Sequence, residues 1–246
     1  MRLLVLKSGS SGNGYVLYND REALIIECGV SYDTCLKALK FKRGIIVGAL
    51  VTHEHGDHSK YVEQYLEAAI PVYLTQGTSS QLSYKKDRRP FIIEKNKVFS
   101  VGRFLILAFE TKHDCKEPVG FLIRHPEMGQ TLFATDTYYL PYKFEGLSHV
   151  MIECNYDNHI IDKNVEDGIV PSLVRDRVNE SHMSLETCID TLKANDLSSV
   201  NNIVLLHLSS KNSDPELFRR VVESETGKLV TVAKKGVDIP FDKEMF

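Results

Sequence analysis

No stretch of this chain approaches the roughly 18 apolar residues that a membrane-spanning helix needs, so no membrane partner is expected. The N-terminal Met1-Arg2-Leu3-Leu4-Val5-Leu6-Lys7 has a charge and then an apolar run too short for a signal peptide. It reads as a first strand, and the protein is expected in the cytoplasm. The five cysteines, Cys28, Cys35, Cys115, Cys154 and Cys188, are odd in number and lack CxxC spacing, which favours reduced thiols over a disulfide framework. Cys115 lies two residues from a candidate ligand but reads as a small buried hydrophobe. A net charge of -3 gives no broad attraction to nucleic acid, so an anionic polymer would have to be drawn by local features. The only dense basic run, Lys85-Lys86-Asp87-Arg88-Arg89, reads as a solvated loop. The glycine-rich Ser8 to Gly14 lacks both GxxxxGK[ST] and GxGxxG, which excludes a nucleotide P-loop.

With 43% hydrophobic residues and no linker-like, repeated or low-complexity segment, the chain can bury a full core as one domain over residues 1–246. Strand-like runs cover Leu3 to Leu6, Gly14 to Tyr18, Ala23 to Glu27 and Ile45 to Thr52, with a short helix at Tyr32 to Leu39. A helix over Ser59 to Ala69 ends before Pro71, followed by a strand at Val72 to Thr75 and a helix near Thr78 to Lys85. Strands follow at Phe91 to Glu94, Phe104 to Thr111, Val119 to Arg124, Thr131 to Thr135 and Val150 to Glu153. Helices are expected over Ile161 to Val178, Ser184 to Ala194 and Asp214 to Glu223, and strands over Asn202 to Leu206 and Leu229 to Val232. The layout suits an α/β fold in which two sheets are faced by helices.

The most informative segment is His53-Glu54-His55-Gly56-Asp57-His58, directly after the apolar run Ile45 to Val51. Residues two apart at an extended strand end point the same way, so His53 and His55 can face one cation while the chain turns at Gly56. Asp57 and His58 follow the turn and can face a second. Imidazole suits zinc, iron or manganese and a carboxylate adds a hard oxygen ligand, so the run is a dinuclear metal-site signature. Such an ion pair lowers the pKa of a bound water to about 7. Further candidates stand at later strand ends: His113 past Phe104 to Thr111, Asp136 closing Thr131 to Thr135, and His207 ending Ile203 to Leu206. Singly, each could satisfy an ordinary strand-end hydrogen bond; together with the run at 53 to 58 they complete two coordination spheres.

The ordered set His53, His55, Asp57, His58, His113, Asp136 and His207 resembles the metallo-β-lactamase superfamily. That resemblance implies a four-layer αββα sandwich with two mixed sheets and the site at one sheet edge. It also implies that His53, His55 and His113 hold one divalent ion, that Asp57, His58 and His207 hold another, zinc or manganese, and that Asp136 bridges them. Within the superfamily, several tracts spanning nearly the whole chain resemble the WalJ (YycJ) proteins: Ser8 to Gly14, Leu50 to His55, His113 to Pro118, Ala134 to Thr137, Ile152 to Asp157, Ser181 to Ser184 and His207 to Ser209. This implies a phosphodiesterase, in particular a 5′ to 3′ exonuclease on single-stranded DNA. Two departures are Glu27, where the family usually shows Asp, and the short stretch after Ser209.

His182 is not needed to fill either metal sphere, and placed between two expected helices it could protonate the leaving oxygen or bind the scissile phosphate; a helix-cap loop is the alternative. Glu153 and Asn155 could orient ligands or bind substrate, and Ser11 and Asn13 could reach the cleft. The expected reaction is in-line attack on phosphorus by a hydroxide bridging the two ions, with Asp57 orienting the nucleophile and His182 assisting departure. Single strands would lie over aromatic residues such as Tyr138, Tyr139 and Tyr156. The stretch between Asp136 and His182 is too short for an inserted domain, and no long Gly/Pro-rich clamping arm is evident. A small-substrate hydrolase stays open, either a cyclic-nucleotide phosphodiesterase or a thioester or lactone hydrolase, as does a metal-stabilised binding module. The sequence is compatible with a homodimer.

Overall fold

The computed structural model describes residues 1–244; the last two residues of the expected 1–246 domain lie outside them. The first half contains β1 (Arg2–Lys7), β2 (Gly14–Tyr18), β3 (Ala23–Ile26), α1 (Tyr32–Ala38), β4 (Ile46–Leu50), α2 (Gly56–Ser59), α3 (Val62–Glu67), β5 (Val72–Thr75), α4 (Gln76–Gln81) and β6 (Phe91–Ile93). The second half contains β7 (Val98–Val101), β8 (Phe104–Glu110), β9 (Val119–His125), β10 (Gly129–Ala134), β11 (Leu147–Glu153), α5 (Asn158–Glu166), α6 (Ser172–Ser181), α7 (Leu185–Lys193), β12 (Asn202–Leu206), α8 (Pro215–Thr226), β13 (Leu229–Val232) and β14 (Asp238–Pro240). The strands form two seven-stranded sheets, in the orders β14-β1-β2-β3-β4-β5-β6 and β13-β12-β11-β10-β9-β8-β7.

The apolar runs are strands because both of their faces are covered, which is why they read as continuous rather than alternating hydrophobic segments. Along β3, Leu24 and Ile26 enter the core between the sheets while Ala23 and Ile25 face the helical layer with Val62, Tyr65 and Leu66. Along β12, Val204 and Leu206 face the other sheet, and Ile203 and Leu205 face the layer containing Leu192, Phe218 and Val222. Each such side chain removed from water contributes about 1.5–3 kcal/mol. The result is the four-layer αββα sandwich.

Several features differ from the sequence reading; the helix expected near Thr78 to Lys85 is Gln76–Gln81 and does not extend over residues 82–85. The helix expected over Ile161 to Val178 is two, α5 and α6, because Gly168 adopts φ 70 and Pro171 stands just before Ser172. The expected helix after Ser59 starts earlier, at Gly56, and is broken between α2 and α3 around Lys60 and Tyr61. The short strands β7 and β14, absent from the sequence reading, edge the two sheets. No helix among the described residues is long and apolar enough to cross a membrane.

Candidate metal centre

The segment His53 to His58 leaves β4 and turns into α2, so its side chains gather at the strand ends of the first sheet. Glu54 turns aside, its Oε1 accepting the Lys116 N–H at 2.6 Å. From the second sheet come His113 after β8, Asp136 after β10, Glu153 at the end of β11 and His207 after β12, with His182 at the end of α6. Three of the strand-end residues, Glu27, Asp136 and His207, hold left-handed backbone at φ 70, 50 and 53. Such conformations cost of order 1–3 kcal/mol each and persist only where surrounding contacts enforce them. Gly29 is required by close approach: a Cβ there would lie 1.7 Å from the Asp57 carbonyl oxygen. That carbonyl accepts the Asn13 N–H at 2.7 Å, locking the glycine-rich loop under the site.

The donor atoms form overlapping groups in which all lie within 4.8 Å of one another: His53, His55 and His113; Asp57, His58 and His207; His53, His58 and Asp136; and Asp136, Glu153, His182 and His207. Asp136 joins the two sides. Its Oδ2 is 3.1 Å from His58 Nε2, and its Oδ1 is 3.8 Å from the Nε2 atoms of both His113 and His207.

The groups behind these donors fix which nitrogens are free. The Thr52 hydroxyl donates to Glu27 Oε1 at 2.6 Å, so the contact of 2.9 Å between Thr52 Oγ1 and His53 Nδ1 is filled by the imidazole proton. His53 Nε2 is then a bare lone pair, and it is buried without a hydrogen-bond partner. His113 Nδ1 lies 2.9 Å from the Ser181 carbonyl, which can only accept, so His113 Nε2 too is a lone pair, 3.1 Å from His55 Nδ1. Glu27 also backs His58, with Oε1 3.2 Å from Nδ1. Lone pairs aimed together in a buried space, beside carboxylates, fit divalent cations.

Charge follows the same division. Burial and the neighbouring His58 hold His53 well below its ordinary pKa, and burial lowers His113 as well, leaving both as the neutral imidazoles that ligate metals. Burial opposes charge on His58 and His207, but Asp136 outweighs it and raises both. Burial would raise Asp136 and Asp57; instead His207 and His58 hold both carboxyls well below the usual range. His182, which stacks on His207 with ring centroids 5.3 Å apart, donates toward Glu153 Oε1 at 2.7 Å; burial opposes its charge, yet Glu153 raises it to about 9.

The weaker sequence candidates fall in distinct places. Asn13 is buried, with Nδ2 2.9 Å from His58 Nε2 and 3.3 Å from Asp57 Oδ2. Asn155 is buried beneath His207, donating to its carbonyl at 2.7 Å. Ser11 is exposed on the rim. Tyr138 and Tyr139 are exposed, whereas Tyr156 is buried. Lys85 and Arg88 of the basic run bind Glu67 on α3, away from the centre. Free thiols are found at all five cysteines. Sequence reasoning missed the Thr52 relay, the Ser181 carbonyl and Arg177. Arg177 lines a cavity of about 390 Å³ over the centre together with His55, Asp57, Asp136 and His182. A carbonyl leaves no mark in sequence, and Arg177 enters only because α6 starts anew after Pro171.

Residues 37–208 match the family model described as the beta-lactamase superfamily domain. The chain is 26% identical over 232 residues to exodeoxyribonuclease YycJ of Bacillus anthracis, spanning 89% of this chain and 86% of that one. It is 25% identical over 253 residues to exodeoxyribonuclease WalJ of Streptococcus pneumoniae, spanning 96% of this chain and 91% of that one. In structure it is similar to zinc-bound PqqB of Methylobacterium extorquens, with a TM-score of 0.71, 15% identity, and coverage of 98% of this chain and 100% of that one.

Proposed function

The chain belongs to the beta-lactamase superfamily as a metal-dependent hydrolase, and on that premise we propose that it is a phosphodiesterase acting as a 5′ to 3′ exonuclease on single-stranded DNA. The observation that carries the reading is the pair of donor sets meeting at Asp136. His53, His55 and His113 would hold one divalent ion and Asp57, His58 and His207 the other, with Asp136 between; zinc and manganese both suit these ligands. When bound, such ions supply Lewis acidity toward phosphoryl oxygens and a nucleophile available at neutral pH.

The chain's own residues do the rest. Asp57 is partly exposed at the cavity floor and orients the attacking group. His182, held by Glu153 with its ring over the same cavity, hands a proton to the leaving oxygen. Asn155 holds His207 from behind, while Asn13 sits beside the donor set, its Nδ2 against His58 Nε2 and Asp57 Oδ2. Arg177 on the cavity wall offers charge to a non-bridging oxygen. The names of the two relatives that match along most of the chain support DNA as the polymer.

The test uses manganese- or zinc-loaded protein beside a His55→Ala, Asp136→Ala double variant, on end-labelled single-stranded DNA, single-stranded RNA and cyclic nucleotides. Stepwise loss of DNA from the 5′ end, absent in the variant, is the expected result. Intact DNA with turnover of a cyclic nucleotide would overturn the substrate and replace it with a small molecule.

A further inference from the structure

Next to the centre, a second cavity of about 490 Å³ shares Ser10, Gly56 and Asp57 with the one above the donor groups. Its volume falls in the roughly 300–1,000 Å³ range of sites that enclose small organic ligands. Three lysines converge on it from unrelated parts of the chain: Lys7 at the end of β1, Lys60 just after α2, and Lys235 in the turn between β13 and β14. Among the described residues Asp57 is the only carboxylate on the wall, and it is already claimed by the donor set at the centre.

Among the described residues Lys7, Lys60 and Lys235 have no carboxylate partner within 4.0 Å, unlike Lys42, Lys85, Lys97, Lys112 and Lys193; what sets the three apart from the other lysines without such a partner is that they line one cavity. Lys7 Nζ donates to the Ser11 carbonyl at 2.7 Å, which draws its charge onto the loop facing the centre. The Lys60 ammonium sits 5.4 Å from the Tyr61 ring centroid. In a chain of net charge -3, three unpaired cations on one concave wall beside a metal-binding centre define a local anion site.

We propose that this cleft binds the terminal phosphate monoester of a single-stranded DNA substrate, so that the strand is gripped by its 5′ end while the first internal linkage lies over the centre. The inference rests on the phosphodiesterase reading. A monoester carries about −1.5 to −2 charges at pH 7 against about one for an internal diester, and three converging ammonium groups favour the more highly charged group. The reaction it serves balances simply. A bond forms between a water oxygen and phosphorus, the P–O3′ bond breaks, and its electron pair leaves on O3′, which takes up a proton. The products are a nucleoside 5′-monophosphate and a strand shorter by one nucleotide whose new end again bears a 5′-phosphate. Each turnover therefore regenerates the group that the lysine cleft holds.

The experiment measures binding of a fluorescent single-stranded oligodeoxynucleotide with uncharged, uncleavable methylphosphonate linkages to metal-loaded, full-length protein. The oligonucleotide is used with a 5′-phosphate or a 5′-hydroxyl. The expected result is at least about tenfold tighter binding of the phosphorylated strand. A Lys7→Gln, Lys235→Gln variant should bring the two strands within about twofold, and a Lys7→Arg, Lys235→Arg variant should keep the difference. Equal binding of both strands by the native protein overturns the inference, as does a preference untouched by the glutamine substitutions. An equal loss in the glutamine variant for 5′-hydroxyl DNA with ordinary diester linkages also overturns it, assigning the lysines to the backbone. Failure of the underlying reading looks different: the native protein would then hydrolyse neither DNA nor bis(p-nitrophenyl) phosphate, whatever the end-group preference.

Discussion

In the first sheet, β14, β1, β2 and β3 pair antiparallel and β3 to β6 pair parallel; in the second, β7 to β10 pair antiparallel and β10 to β13 parallel. The direction changes at β3 in one sheet and at β10 in the other, and each of these strands is followed by a buried carboxylate on left-handed backbone, Glu27 or Asp136. The next strands, β4 and β11, lead to His53 and Glu153. From β3 and from β10 onward the strands run parallel, so their carboxyl ends lie along one edge of each sheet, and that is where both sheets place their chemistry. The two halves nevertheless use the matching positions differently. Asp136 reaches the seam and meets imidazoles from both sheets, while Glu27 stays behind the histidines of its own sheet. A shared backbone plan thus sets where functional groups go, and side-chain reach decides whether they bind or support.

Breaking the seam should have the largest effect. Asp136→Ala removes the one carboxylate common to both donor sides and should lower kcat/KM for a phosphodiester by about a thousandfold or more, measured with the variant's unfolding transition as a control for folding. Gly29→Ala tests the close backbone approach beneath the donors of the first half. Its Cβ cannot fit 1.7 Å from the Asp57 carbonyl, so a loss of about 3 kcal/mol or more in urea unfolding, with loss of bound metal, is expected.

His149 probes the second sheet away from the centre. It is buried on β11, stacks on Phe241 at 3.9 Å, and burial lowers its pKa to about 4. A depressed histidine destabilises the fold as pH falls, because the unfolded chain takes up a proton below about 6.5 while the folded one resists until about 4. The native protein should therefore lose about 2–3 kcal/mol more than a His149→Gln variant between those values, read from urea unfolding at each pH.

The smallest effects sharpen the comparison itself. Glu27→Gln and Glu153→Gln should each cost about 10- to 100-fold, but in different measurements. The first should weaken metal affinity, because Glu27 fixes His53 and His58. The second should lower kcat with little change in metal content, because Glu153 holds His182. Identical effects on metal binding would erase the distinction between the halves.

Much of the site could be read in the chain because the first sheet delivers its donors contiguously. His53 to His58 leave one strand and turn into one helix, so spacing alone groups them. The donors of the second sheet are scattered, and His113, Asp136 and His207 stood out only as polar residues ending apolar runs. The sandwich was legible because strands such as β3 and β12 bury both faces. Helix α6 was misread because its amphipathic pattern continues that of α5, and only the Gly168 to Pro171 break separates them. β7 and β14 are short edge strands that bury little, with Val101 the one buried residue of β7 and none buried in β14, so no continuous apolar run marks them. The unpaired lysines at 7, 60 and 235 are brought together by topology alone.

The measurement that bears most directly on the meeting of the two sheets at Asp136 is metal stoichiometry, by titrating metal-free protein with zinc or manganese and counting bound ions. About two ions per chain should bind to the native protein, and about one or none after His113→Ala, Asp136→Ala substitution. A native protein that binds no more divalent metal than the variant would contradict the account, because the convergent lone pairs of His53 and His113 and the carboxylates beside them would then have no cation to serve.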